Sequence, residues 1–136
     1  KGFAVIKRRW RDGETMHLHL PMPVRRVQSH QGVAGNRGRV ALQRGPIVYC
    51  AEGVDNGGRV SNLILEDGVP FKTNHVYSLG GVRLITAKAK ALVQQANGKM
   101  KRQEHTLAAI PYYAWAHRGK GEMKDWLRAA AARLKH

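Results

Sequence analysis

Residues 38–52, Gly-Arg-Val-Ala-Leu-Gln-Arg-Gly-Pro-Ile-Val-Tyr-Cys-Ala-Glu, limit the fold more than any other stretch. Val40 and Leu42 alternate with Ala41 and Gln43, the two-residue period of a strand with one buried face. Ile47, Val48 and Tyr49 are β-branched or aromatic and suit a second strand. Arg44-Gly45-Pro46 stands between them. Pro46 lacks an N–H and holds φ near about −65°, which marks a strand start or an edge. Gly45 takes a bend that a side chain resists. The stretch predicts a strand, a kink and a second strand, both feeding one core.

Other strand signals surround it. Residues 3–10 and 14–20 read as a hairpin turning at Asp12-Gly13. Met16, Leu18 and Leu20 share one face of its second strand, and Thr15, His17 and His19 share the other. Pro21-Met22-Pro23 ends that ladder, and Val24–Val27 can pair once more. Residues 29–38 are rich in Gly, Ser and Asn, which reads as a long loop and puts an internal boundary near residue 28. Asp55-Asn56-Gly57-Gly58 is a turn, and Asn62–Glu66 is a short strand. Residues 82–93 read as a strand, although the Ala/Lys repeat from Ala87 to Ala91 favours a helix by itself. Asn97-Gly98 is a hairpin turn, and Thr106–Ile110 leads into Pro111-Tyr112-Tyr113-Ala114-Trp115. Met123, Trp126, Leu127, Ala130, Ala131 and Leu134 fall on one face of a helix. Many short strands with glycine turns point to an all-β, antiparallel, jelly-roll-like β-sandwich.

The 136 residues suffice for one domain with a real core, or one domain and part of another. No run is long enough to span a bilayer as a helix. The N-terminus has no apolar run of signal-peptide length, and a removed or upstream leader leaves cytoplasmic and exported settings equally open. Charge is lopsided, with 24 Lys+Arg against 9 Asp+Glu and a net +15. Such a field attracts polyanions, polysaccharide and nucleic acid alike, or a neutralising partner domain. Charge without a recognition motif does not make nucleic acid the expected partner.

Candidate chemistry is sparse. His17 and His19 lie at i and i+2 on one strand face, where two ligands can reach a metal, but nothing nominates a third. No metal site is therefore expected. Cys50, the lone cysteine, sits in an apolar strand and reads as packing. Glycosidic hydrolysis ordinarily needs two facing carboxyl groups, and no pair is specified. Asp55 and Asp67 sit in turns, where an aspartate accepts backbone N–H groups. Tyr113 and Trp115 fall on one face by alternation; with Trp126 they are the candidate sugar-stacking residues, weighed against a packing role. No catalytic residue is assigned.

Three segments, in order and spacing, resemble the C-terminal part of glycoside hydrolase family 127, the β-L-arabinofuranosidase-like enzymes. They are Arg8–Glu14 running to Leu20–Arg25; Asn36–Cys50 continuing to Glu52 and Asp55-Asn56; and Ile110–Ala116 with Arg118-Gly119 and Gly121-Glu122-Met123. The similarity covers most of residues 2–127. The resemblance implies a piece of a larger enzyme with a catalytic (α/α)6 barrel followed by two sandwiches. Residues 1–28 would be the last strands of the middle sandwich, a partial second sandwich in this chain. Residues 29–127 would be the C-terminal sandwich, and residues 128–136 a tail. It also favours a strand over Glu122–Leu127, so a strand through Leu127 and a short helical tail are expected. The family's nucleophilic cysteine and its zinc belong to the barrel, so no cofactor is expected in this chain and Cys50 inherits no catalytic role. The expected function is a non-catalytic accessory sandwich that buttresses the barrel, or else self-associates through the incomplete N-terminal sandwich. The alternatives are a free-standing carbohydrate-binding module and a basic nucleic-acid-binding protein.

Overall fold

The structure, a computed structural model, describes residues 2–130. Its regular elements are strands, and its only helices among the described residues are single 3-10 turns. The strands are β1 (Val24–Val27), β2 (Arg39–Arg44), β3 (Ile47–Glu52), β4 (Leu63–Leu65), β5 (Lys72–Val76), β6 (Val82–Gln94), β7 (Met100–Pro111), β8 (Met123–Lys124) and β9 (Trp126–Ala129).

The β2–β3 hairpin forms as its sequence predicts. Arg44 pairs with Ile47 across Gly45-Pro46, and Gly45 takes φ +57°, the positive value that a two-residue hairpin turn needs at its first position. Strand β6 also forms. Its Ala/Lys repeat works as alternation: Ala87 and Ala89 are buried, while Lys88 is exposed and Lys90 partly so. The β6–β7 ladder runs from Val82's strand through ten paired positions, Ile85↔Ala109 to Gln94↔Met100.

The architecture differs from an antiparallel jelly-roll sandwich. The pairings β2–β9–β4–β6–β7–β3–β2 close a ring of six strands, with β1, β5 and β8 added to β2, β6 and β3. Closure depends on β9. It lies antiparallel to β2 (Val40↔Leu127) and parallel to β4 (Ile64↔Arg128), so the barrel is mixed. A closed ring leaves no edge among its members, which removes the main liability of a sheet.

The helical face drawn from Met123, Trp126 and Leu127 does not form a helix either. In extended backbone Leu127 points into the ring and Arg128 points out to solvent, so the same residues satisfy a strand. The helical tail fails where it is described, since Arg128 and Ala129 belong to β9; residues 131–136 lie outside the described residues.

The core has two parts. Val40, Leu42, Tyr49, Ala51, Leu65, Ile85, Leu107 and Leu127 pack inside the ring. Cys50, Val82, Ile110 and Ala114 form a second cluster with Leu79, Leu84 and Met123. Strand alternation explains the split, because Tyr49 and Ala51 face the first cluster and Cys50 faces the second.

The N-terminal hairpin and partial second sandwich do not form in this chain. Residues 14–23 carry no strand, and only the turn at Asp12-Gly13 survives, with the Glu14 N–H donating to the Arg11 carbonyl at 3.2 Å. Phe3, Val5 and Leu18 are 91%, 77% and 77% exposed. An isolated two-stranded hairpin has too little buried area to stand alone in water, which accounts for the loss. Strand β1, just before the compositional boundary near residue 28, is paired along its length with β2.

Candidate functional site

The polar feature that the fold builds most completely joins the end of β3 to the loop before β8. Glu52 ends β3, Asp55 closes the 3-10 turn Gly53–Asp55, and Asn56 follows. Gly53 is required there, because a Cβ at this position would come within 2.7 Å of the Gly58 carbonyl oxygen. Arg118 reaches in from the loop beyond the 3-10 turn Tyr112–Ala114.

Its guanidinium grips Asp55 with both arms, Nη1 to Oδ1 at 2.7 Å and Nη2 to Oδ2 at 2.5 Å. Nη2 also donates to Glu52 Oε2 at 2.7 Å. The two carboxylates and the burial-opposed hydrogen bonds hold Arg118 protonated well above its ordinary range, with the Asp55 bonds as the main cause. The other oxygen of Glu52, Oε1, accepts the Ala116 N–H at 3.0 Å. Ala116 sits at φ +67°, a left-handed conformation that costs a residue with a Cβ. Glu52 therefore pins a strained loop residue while itself only 6% exposed.

Asn56 does a second job. Its side-chain Nδ2 donates to the Glu52 and Ala108 carbonyls at 2.8 and 2.9 Å, and its Oδ1 accepts the Ala108 N–H at 3.0 Å. The β3–β7 ladder stops at Cys50↔Ile110. Two residues along β7, one side-chain amide stands in for the missing strand and satisfies both backbone groups of Ala108. Glu122 ties the loop down again. Its Oε2 accepts the Val60 and Ser61 N–H groups at 3.0 and 3.1 Å and the Ser61 hydroxyl at 2.9 Å. Those bonds, the Val60 N–H first, pull its pKa down to about 2.

Chemically this cluster is a latch. Arg118 is committed to two carboxylates, and Glu122 stays ionised over the whole neutral range. Burial, helped by the nearby Glu52 charge, pushes the Cys50 thiol up to about 12, so it offers no thiolate at neutral pH. Burial also lowers the pKa of His105, which lies 3.4 Å from Asn56 Oδ1. Asp55 accepts from Arg118 rather than from its own turn, and Asp67 accepts from Arg26 at 2.8 Å. In both cases an ion pair from a distant segment outcompetes the local backbone bond that the turn context predicts.

The aromatic candidates are scattered. Strand β7 ends at Pro111, so alternation does not carry through Tyr113 and Trp115. The 3-10 turn instead brings Tyr112 and Trp115 together, with ring centroids 5.9 Å apart. Tyr113, 65% exposed, lines a shallow cleft with Leu79, Ala114 and His117. Trp126, half-buried in β9, lines another with Val60, Lys124 and Arg39. His17 and His19 are exposed on the N-terminal arm. No three His, Cys, Asp or Glu side chains gather to hold a metal among the described residues. Cys50 is a buried thiol of the second core cluster. No helix among the described residues is long and apolar enough to cross a membrane.

Fold and site together define a class: a closed all-β module whose acidic motif residues clamp its own loops. Comparison with known proteins narrows the class to a family. The model of the glycoside hydrolase family 127 C-terminal domain matches residues 24–128. A non-reducing end β-L-arabinofuranosidase of Bifidobacterium longum subsp. longum is 37% identical over 131 aligned residues, covering 85% of this chain and 20% of that protein. Among solved structures, a family 127 β-arabinofuranosidase superposes with a TM-score of 0.80 at 43% identity, over 82% of this chain and 18% of the other. A family 127 β-L-arabinofuranosidase from Geobacillus stearothermophilus T6 gives 0.77 at 41%, over 81% and 19%. This chain belongs to the family 127 C-terminal domain family. It spans about a fifth of the length of the relatives it matches.

Proposed function

We propose that this chain is a non-catalytic accessory module of a larger family 127 glycoside hydrolase, and that it supports a catalytic domain acting on β-L-arabinofuranosides. The observation that carries the reading is the use to which its acids are put. Glu52, Asp55 and Glu122 are spent on Arg118, on the Ala116 N–H and on the Val60–Ser61 backbone. The latch thereby fixes a loop surface instead of presenting a reacting pair. In this reading the exposed apolar arm, residues 3–20, supplies the last strands of an adjoining sandwich, completed by chain upstream. The catalytic domain and its zinc lie outside this chain.

A graft tests it. The Geobacillus relative with its matched region deleted should lose arabinose release from an aryl β-L-arabinofuranoside, and the same enzyme carrying this chain in that place should recover it. The isolated 136-residue protein should release none. Release by the isolated chain, or a soluble graft with no activity, would overturn the reading.

A further inference from the structure

An arginine cleft lies beside the closing strand of the barrel. Arg37, Arg39, Arg102 and Arg128 line a cleft of about 390 Å³ floored by Gly38, Ile64, Ala129 and Ala130. No carboxylate lines it. None of the four arginines has an ion-pair partner among the described residues, whereas Arg8, Arg26, Arg59 and Arg118 all do. Residues 131–136, which follow the cleft in sequence, contain no Asp or Glu.

Register makes the arrangement costly. Arg39 of β2 and Arg128 of β9 are direct cross-strand partners, and like charges placed directly opposite each other destabilise a ladder. The pair spans the β2–β9 seam, one of the two pairings through which β9 closes the ring. Backbone groups at the floor are already used, the Ala129 N–H on the Gly38 carbonyl at 2.8 Å and the Ala130 N–H on the Leu65 carbonyl at 3.0 Å. The cleft presents four guanidinium groups, whose forked N–H geometry matches oxyanions.

We propose that this cleft binds a doubly charged tetrahedral oxyanion, a phosphate or sulfate group, held between Arg39 and Arg128 and flanked by Arg37 and Arg102. Such a group neutralises the opposed pair, and its tetrahedral oxygens accept from both forks at once. A monocarboxylate supplies half the charge and cannot bridge the pair as well. None of the latch residues Glu52, Asp55, Arg118 and Glu122 lines this cleft, and the site does not depend on the accessory-module reading.

Titration of the full chain with inorganic phosphate and with inorganic sulfate, at constant ionic strength in chloride, tests this by calorimetry and by thermal melting. One saturable site is expected for each anion, with acetate at least tenfold weaker. Phosphate affinity should rise as the pH passes its second ionisation, while sulfate affinity should not, which separates the two sources. Arg39→Gln and Arg128→Gln should each weaken binding tenfold or more and raise the melting temperature without anion, because each relieves the repulsion. Arg9→Gln, on the N-terminal arm, should leave binding unchanged. Absence of saturation, or equal weakening by Arg9→Gln and Arg128→Gln, would overturn the site.

Discussion

Arg118 illustrates how one side chain can hold a loop that has no secondary structure of its own. Its contacts reach residues 63 and 66 positions away, and Glu52 at the far end is almost fully buried. Arg118→Ala leaves that carboxylate without its counter-charge and should cost about 2–4 kcal/mol in chemical denaturation. Arg118→Lys keeps the charge and loses the two-armed grip on Asp55, so it should recover only part of the loss. Glu122 makes a prediction about pH. Its folded pKa of about 2 lies below the ordinary value of 4.5, so between those values the unfolded chain binds the extra proton. Stability from this group is therefore complete above about pH 4.5 and is lost as the pH falls toward 2. Denaturation midpoints of Glu122→Gln should lack that share of the acid slope; an unchanged slope would mean that the backbone bonds at Val60 and Ser61 do not act through the charge.

At β9 the expected strand through Leu127 forms, while the helical tail expected after it gives way to strand at Arg128 and Ala129. The residues of β9 fit a helix and a strand equally well, and the choice is made by β2 and β4, which flank it on both sides. The parallel β4–β9 pair joins Ile64 to Arg128, and no local pattern encodes a partner that far away. By contrast the β2–β3 hairpin was legible, because period-two alternation and Gly45-Pro46 are adjacent in sequence. Strand β6 was legible from Val82, Leu84, Ile85 and Thr86, whereas the Ala87–Ala91 repeat by itself favours a helix and is held extended by its pairing with β7, with Ala87 and Ala89 turned inward. The latch was legible only as residues shared with a family. Asp55 and Asn56 read as turn formers, which places them correctly, but their real partners, Arg118 and Ala108, come from other strands and loops. If β9 closes the ring, then Leu127, 3% exposed inside it, is the plug that seats the strand. Leu127→Ala should cost about 3 kcal/mol. It should also speed amide exchange at Ala129 and Ala130, whose N–H groups bond Gly38 and Leu65 on the two neighbouring segments. Destabilisation without faster exchange at those two amides would separate core packing from closure.

Across the whole molecule, two surfaces pull in opposite directions. The arm before β1 exposes Phe3, Val5, Leu18 and Leu20, apolar side chains of the size that normally seek cover. The net charge of +15 makes every copy repel every other. At low salt repulsion should keep the protein dispersed. Added salt shortens the Debye length to about 10 Å at 0.1 M and leaves the short-range apolar attraction intact. The apparent mass by light scattering should therefore rise with protein concentration and rise further from low to moderate sodium chloride. Val5→Ser and Leu18→Ser, which change no charge, should suppress the rise while leaving the melting temperature of the barrel unchanged, because neither residue touches its core. An association held together by charge would show the reverse, falling apart as salt is added. A protein that stays monomeric at high concentration and high salt would mean that the arm covers its own apolar side chains in solution, and docking onto upstream chain would then need another surface.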